Sequence, residues 1–139
     1  MKKVFADTSY WIALLNKNDQ YHASALALDN KLEGTEIVTT DMVLAEVLNS
    51  FSSQGQFMKK LVANYVGHLY DTKGYSIIEQ SREQFINALR IYSRYADKDW
   101  GFVDCLSYCV MRDNHITDAL SHDRHFKQMG FKTLLETHD

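Results

Sequence analysis

The sequence predicts an α/β protein in which helices cover both faces of a mainly parallel sheet. Five short apolar or β-branched segments have the character of strands, and helical patterns lie between successive segments. Strands that alternate with helices imply right-handed crossovers and parallel pairing. The 139 residues, 45% of them hydrophobic, suit a single globular domain over residues 1–139.

The first predicted strand ends abruptly at a carboxylate. Residues 3–6 are mostly apolar, and Asp7, Thr8 and Ser9 follow before a helical pattern begins. Either hydroxyl can cap that helix. In open α/β sheets, ligands bind just beyond the carboxyl ends of the strands. Asp7 is therefore the first candidate site residue.

The sequence from residue 21 to residue 51 predicts the second helix, the second strand and the third helix. Residues 21–32 form the first of these helices, and Gly34 ends it. The β-branched run 36–40 predicts a strand. Asp41 can cap the following helix, whose apolar positions repeat at helical spacing as far as Phe51.

A fourth helix, a third strand and a fifth helix are predicted in the middle of the chain. The helix covers residues 57–70 and has a broad apolar face, for which packing in the core is the default and contact with a partner protein the alternative. Residues 75–79 predict the strand. Ser81 and Gln84 form a capping-box pattern at the start of a helix that extends to about Tyr95.

The last part of the chain predicts two helices and two strands. A helix covers residues 100–111, and a strand runs from His115 into a second aspartate at its end, Asp123. A short helix over residues 124–129 and a strand over 132–135 complete the pattern.

Cys105 and Cys109 are the only cysteines, and they lie four residues apart in a helical pattern. We expect buried, reduced thiols that pack as small apolar side chains. The spacing of the nearby histidines matches no standard zinc pattern, which disfavours a zinc site.

The formal net charge of −3 argues against a general nucleic-acid-binding module, which is usually basic. This argument weakens if several acids are clustered to hold metal ions. No apolar run is long enough to span a bilayer, and Asp7 interrupts the only stretch that resembles a signal peptide. We therefore expect a cytoplasmic protein with no membrane contact.

Four acids stand in positions where a carboxylate is costly. Asp7 and Asp123 end predicted strands, while Glu46 and Asp104 interrupt apolar helical stretches. An acid on the inner face of a helix destabilises the fold unless it is paired or coordinated. Carboxylates and water are the ligands that Mg²⁺ and Mn²⁺ prefer, and such ions activate water for phosphate hydrolysis.

Each acid also has an ordinary structural explanation. Asp7 could cap a helix, Glu46 could face solvent, Asp104 could offset the dipole of its helix, and Asp123 could be a turn residue. Three other acids are more readily explained without a ligand. Asp41 and Asp99 are expected to be helix caps, and Asp118 is expected to be the polar entry to a strand.

Four short blocks, taken together and in this order, resemble the PIN-domain nucleases. They are residues 4–9, 44–49, 100–107 and 119–126, and the resemblance extends over essentially the whole chain. Within that family the chain is most similar in type to the VapC toxin ribonucleases of bacterial and archaeal toxin–antitoxin pairs.

The resemblance implies a three-layer α/β/α sandwich with a five-stranded parallel sheet. It also implies an acidic pocket that binds Mg²⁺ or Mn²⁺ and cleaves RNA. Its implied partners are an RNA substrate, a cognate antitoxin and a second copy of the chain. The site residues that it implies are Asp7, Glu46, Asp104 and Asp123, assisted by the hydroxyl of Thr8 or Ser9.

Five residues near these blocks each have two possible roles. His122 stands where the family usually has a small or apolar residue; it could touch substrate or simply lie on the surface. Four basic residues are candidates for phosphate contacts, with a solvated surface as the alternative: Lys98, Arg112, Arg124 and Lys127.

Two other classes of function stay open. The first is a non-catalytic PIN-like module that binds RNA or a protein, which the absence of metal binding would favour. The second is a phosphatase with an aspartate nucleophile on the first strand. That chemistry usually needs a second acid two residues on, where this chain has Ser9. A dinucleotide enzyme is disfavoured because no glycine-rich loop follows the first strand.

Overall fold

A five-stranded, fully parallel sheet lies at the centre of the computed structural model, which describes residues 2–136. Its strands, in chain order, are β1 Lys3–Ala6, β2 Glu36–Thr40, β3 Tyr75–Ile78, β4 Asp118–Leu120 and β5 Lys132–Thr133. Their spatial order is β3-β2-β1-β4-β5. The predicted parallel sheet is confirmed, and β1 is its central strand.

Helices cover both faces of the sheet. In chain order they are α1 Thr8–Leu15, α2 His22–Asp29, α3 Asp41–Phe51, α4 Gln56–Leu69, α5 Arg82–Arg94, α6 Phe102–Asp113 and α7 Arg124–Gln128. The chain steps from β1 to β3 in one direction and then returns past β1 to β4, so right-handed crossovers place α1 to α4 on one face and α5 to α7 on the other. The packing agrees, because α1 contacts α2 and α3, while α6 contacts α5 and α7. The predicted three-layer architecture is thereby confirmed.

Strand β1 is buried on both faces and paired along both edges. Val4, Phe5 and Ala6 are almost inaccessible to solvent, which explains why β1 is a continuous apolar run rather than an alternating one. Fully burying a side chain such as Phe5 contributes roughly 2–3 kcal/mol to stability. The strand that carries Asp7 is therefore among the most firmly held parts of the fold.

Helices α1 and α3 each follow a strand directly, and the N-cap residue lies at the junction. The N-cap of α1 is Asp7, so the prediction of Thr8 or Ser9 in that place is wrong. The N-cap of α3 is Thr40, whose hydroxyl accepts a hydrogen bond from the Val43 amide at 3.1 Å. In both cases the capping residue keeps the extended backbone of the strand, so no turn intervenes. Asp41, predicted as a cap, is instead the first residue of α3.

The start of α6 also differs from the prediction. Its N-cap is Gly101, and Asp99 is exposed two residues earlier. The intervening Trp100 is buried, and its indole N–H donates a hydrogen bond to Gln128 at 2.8 Å. This anchor holds Asp99 outside the helix.

The last two strands are shorter than predicted. His115 has a φ of 55°, a left-handed conformation that cannot belong to a strand, and β4 begins only at Asp118. Asp118 is the polar strand entry expected from the sequence, and its carboxylate pairs with the ammonium of Lys2 at 3.0 Å. Strand β5 ends at Thr133, although the Leu134 amide still bonds to the Ala119 carbonyl.

Helix α4 packs part of its apolar face in the core, as predicted, and leaves another part exposed. Val62, Val66 and Leu69 are buried in the core, while the side chain of Phe57 is 76% exposed. Cys105 and Cys109 are buried free thiols, as predicted. Within residues 2–136, the helices are all too short or too polar to cross a membrane.

Helix α5 offers a direct test of local stability, because its predicted capping box is present. The Gln84 amide donates to the Ser81 hydroxyl at 3.1 Å, and the Ser81 amide donates back to the Gln84 side chain at 3.3 Å. We expect Ser81→Ala to lower the free energy of unfolding by about 1 kcal/mol in urea denaturation. The matched control is Ser93→Ala, an exposed position inside the same helix, where no loss is expected.

Candidate active site

The pairing of β1 with β4 creates the candidate site. Ala6 lies opposite Leu120, and the Asp7 amide donates to the Leu120 carbonyl at 3.1 Å. Asp7 and Ser121 therefore leave their strands side by side. Because the chain reverses its direction across the sheet between β1 and β4, this is the topological switch point where ligands bind in open α/β folds.

Asp7 is a buried carboxylate held by two hydroxyls. It is 4% exposed, and its Oδ2 accepts hydrogen bonds from Ser121 at 2.9 Å and from Ser9 at 3.1 Å. Its side chain does not cap α1, so the explanation of Asp7 as only a helix cap is insufficient. Burial, reinforced by the nearby charge of Asp104, raises the pKa of Asp7 from 3.8 to about 7.

Asp104 lies in the first turn of α6 and points into the same cleft. Its Oδ2 accepts a hydrogen bond from the Gly101 amide at 3.1 Å and lies 3.0 Å from Nδ1 of His125. Burial raises the pKa of Asp104, an effect that the hydrogen bond from His125 opposes. The Asp104 carboxylate therefore interacts with the positive start of its own helix, in agreement with the ordinary structural explanation given for it, and it also faces the other acids.

Asp123 and His125 enter from the start of α7. Asp123 is the N-cap of this helix, and its Oδ1 accepts a hydrogen bond from the His125 amide at 2.9 Å. Nδ1 of His125 lies 3.3 Å from the same oxygen. The ligand atoms of Asp104, Asp123 and His125 all lie within 4.8 Å of one another.

Glu46 reaches the cleft from α3, but not from a buried helix face. It is exposed, and its Oε1 accepts a hydrogen bond from the Thr8 hydroxyl at 2.6 Å. The buried stripe of α3 is formed by Val43, Leu44, Val47 and Phe51, and Glu46 lies at its edge. The expectation of an inward-facing Glu46 is therefore wrong, although its place beside the other acids is as expected.

These residues line one cleft of about 420 Å³, which contains all four acids that the sequence singled out. Its lining comprises Asp7, Thr8, Ser9, Ile12, Glu46, Asp99, Gly101, Val103, Asp104, Asp123 and His125. Five of these side chains are acidic, and His125 is the only base among them. Carboxylates gathered with so little positive charge repel one another, which is the electrostatic setting that a divalent cation relieves.

The donor set suits a divalent cation. Carboxylate oxygens are suitable ligands for Mg²⁺ and Mn²⁺, and imidazole is a common metal ligand as well. Asp104, Asp123 and His125 present such atoms together, and Asp7 and Glu46 extend the oxygen-rich surface around them.

Sequence reasoning missed two residues of the site. Ser121 bonds to Asp7 and also accepts a hydrogen bond from the Asp123 amide at 2.9 Å, so it links both strand ends. Its position between the strand and Asp123 was the available signal. The available signal for His125 was its position two residues after Asp123, which puts both residues at the start of the same short helix.

Comparison with known proteins agrees with this architecture. The family model described as PIN domain matches residues 4–132. The chain is 27% identical over 128 residues to a protein named 23S rRNA-specific endonuclease VapC20, from two strains of Mycobacterium tuberculosis. That alignment covers 92% of this chain and 95% of the relative.

Two crystal structures share the fold. One is that of Mycobacterium tuberculosis VapC20, described as a Sarcin-Ricin loop cleaving toxin, with a TM-score of 0.81 and 24% identity over 96% of this chain and 99% of the other. The second is FitAcB from Neisseria gonorrhoeae, with a TM-score of 0.62 and 11% identity over 94% and 96% of the two chains.

The raised pKa of Asp7 predicts an unusual pH dependence of stability. In the metal-free protein we expect the Asp7 carboxyl to titrate near pH 7, measured by ¹³C NMR of labelled aspartate. Because the folded pKa lies above the unfolded one, the contribution of Asp7 to stability is complete below pH 4 and is lost as the pH rises through 7. Asp7→Asn should therefore raise the free energy of unfolding at pH 8 by on the order of 2 kcal/mol, and by less at pH 4.

Asp113→Asn provides the matched control for this measurement. Asp113 ends α6, at the opposite end of the helix from Asp104, and it is exposed. This substitution should leave the titration near pH 7 in place. A carboxyl of Asp7 that titrates near pH 4 would contradict the prediction.

Proposed function

The chain belongs to the PIN domain family, and from this premise we propose that it is a metal-dependent endoribonuclease that hydrolyses phosphodiester bonds of RNA in the acidic cleft. The observation that carries the proposal is the meeting of Asp7, Glu46, Asp104 and Asp123 at the switch point of the sheet. The likeness to a relative named as a 23S rRNA-specific endonuclease supports the same activity and makes ribosomal RNA the first substrate to test. An RNA substrate would place the activity in the cytoplasm.

In this proposal the four acids, with His125 beside them, hold Mg²⁺ or Mn²⁺. Such an ion lowers the pKa of a water molecule and offsets the negative charge that develops on phosphate. The chain itself prepares the carboxylates. Thr8 holds Glu46 through its hydroxyl, and Ser9 and Ser121 hold Asp7. The role of Thr8 and Ser9 is thus to position the carboxylates.

The basic residues differ in their access to RNA near the cleft. Arg124 directly follows Asp123, and its 73% exposed side chain lies 3.9 Å from the exposed Asp99 carboxylate, a weak surface pair that leaves it well placed to meet a phosphate. Lys98 lines a hollow that shares Asp99 and Gly101 with the cleft. Arg112 lies near the far end of α6 and pairs with Asp113, which makes it a poor candidate.

We expect the purified protein to cut a mixed pool of tRNA and rRNA only when Mg²⁺ or Mn²⁺ is present. Asp7→Asn should reduce cleavage at least a hundredfold while leaving the protein folded, because it removes a charged oxygen from the proposed metal site. Gel analysis of the cleaved RNA measures the effect, and circular dichroism checks the fold.

Asp113→Asn is the matched control and should cut like the parent protein. Full activity in Asp7→Asn would end the proposal of a nuclease in this cleft. If no RNA is cut with either metal, the next measurement is a calorimetric titration of the protein with Mn²⁺. Binding there would indicate a nuclease with a narrow substrate, whereas no binding would favour the non-catalytic PIN-like module.

The proposed biological role is that of the toxin in a type II toxin–antitoxin pair. The description of the structurally similar VapC20 as a toxin supports this role, which requires an antitoxin as a partner. Two exposed apolar surfaces are available for protein contacts. One is the α3–α4 surface, Leu48, Phe57 and Leu61; the other is the α5 surface, Phe85, Ile86, Leu89 and Tyr92.

We propose that one of these surfaces forms a homodimer. Light scattering after size exclusion should then give twice the chain mass of 16.1 kDa. Of the double variants Phe57→Ser/Leu61→Ser and Leu89→Ser/Tyr92→Ser, one should be monomeric and the other dimeric, which identifies the interface. A monomeric parent protein would contradict the proposal.

A further inference from the structure

Two aromatic rings are stacked beside the acidic cleft. The rings of Tyr21 and His122 lie 3.8 Å apart, centroid to centroid, and are parallel to within 5°. Tyr21 lies in the turn before α2, and its amide donates to the Asp19 side chain at 2.8 Å. The His122 amide donates to the Ser9 hydroxyl at 3.3 Å. Both residues are thus fixed by their backbones as well as by the stack.

His122 borders an open hollow of about 430 Å³ that adjoins the cleft and shares lining residues with it. The hollow is lined by Ser9, His122, Asp123, Arg124 and His125. Three of these residues, Ser9, Asp123 and His125, also line the acidic cleft. The volume lies in the lower range of small-ligand sites, which suits a single nucleotide.

One face of the His122 imidazole is left for a ligand. His122 is an exposed residue and Tyr21 stacks on one face of its ring, so a base in the hollow can reach only the edge and the opposite face. An exposed aromatic face supported from beneath by a second ring is a rigid, flat surface. Unpaired nucleic acid bases bind such surfaces by stacking, with little dependence on sequence.

We propose that Tyr21 and His122 form a stacking platform for one unpaired RNA base, next to the phosphate that is cut. The inference rests on the proposed function and adds a substrate subsite to it. Arg124 supplies positive charge at the same hollow for the phosphate attached to that base. The substrate class that follows is RNA with at least one unstacked base beside the cleavage position, such as a loop or a single strand.

Binding of a defined probe tests the platform separately from cleavage. The probe is a fluorescein-labelled oligoadenylate of ten nucleotides, measured by anisotropy in the Asp7→Asn background so that the RNA stays intact. We expect His122→Ala and His122→Gln to weaken binding about tenfold, and His122→Phe to keep it within about threefold of the parent. Tyr21→Ala should weaken binding and Tyr21→Phe should not.

A second readout reports stacking directly. In an oligoadenylate with one 2-aminopurine, binding should quench the fluorescence in the parent and in His122→Phe, and the quenching should be lost in His122→Ala. His68→Ala, an exposed histidine on α4 outside the hollow, is the matched control and should behave like the parent. An abasic ribose-phosphate chain should bind the parent and His122→Ala equally.

Each outcome decides the question. Unchanged oligoadenylate affinity in folded His122→Ala or His122→Gln overturns the platform and leaves the nuclease proposal intact. Equal losses in His122→Phe and His122→Ala also overturn it, because stacking would then be irrelevant. A parent protein that binds no oligoadenylate overturns the platform whether or not it cuts RNA, whereas the cleavage assay and the Mn²⁺ titration described above decide the proposed function.

Discussion

The site depends on the parallel pairing of β1 with β4. That pairing places Asp7 beside Ser121, two residues before Asp123, and it buries the Asp7 carboxylate at the end of the most enclosed strand. The free energy of holding a charge there is unfavourable in the absence of a cation, as the raised pKa of Asp7 indicates. The fold supplies the stability that offsets this cost, because β1 is paired on both edges and covered on both faces. The unfavourable charge of Asp7 is thus located at the end of the strand that is most completely paired and buried.

The helices complete the site through their first turns. Helices α1, α6 and α7 all begin beside the cleft, and the acids Asp7, Asp104 and Asp123 lie at or near their starts. Free amides and the positive end of the helix dipole are found at such starts, so negative groups are tolerated there better than elsewhere. The same amides bind Asp104 and Asp123 directly. This arrangement allows a cluster of acids to persist without a surrounding shell of lysines and arginines.

Much of the fold and part of the site could be predicted from the sequence, for reasons that differ by residue. Asp7 and Asp123 were predictable because each follows a short apolar strand segment, and Asp104 because it interrupts an apolar helix. The exposure of Glu46 was not, since a position at the edge of a buried stripe can face either way. The contribution of His125 depends on where a five-residue helix starts, and that of Ser121 on which strands are neighbours. Both are facts of tertiary structure. The cap at Thr40 was missed because the last residue of the strand itself caps the helix, one position before Asp41. The cap at Gly101 was missed because the buried Trp100 separates the polar turn from the start of the helix.

The residues that meet in the cleft come from opposite ends of the chain. The hydrogen bond between Ser121 and Asp7 joins positions 114 apart. A ribosome that has made only the first hundred residues has therefore produced a polypeptide with neither Asp123 nor His125, and with no partner for one edge of β1. The acidic cleft comes into existence only after the last strands have emerged and docked. A nascent chain that has not yet reached residue 125 therefore lacks two of the side chains that line the cleft, so the site cannot form before that point of synthesis.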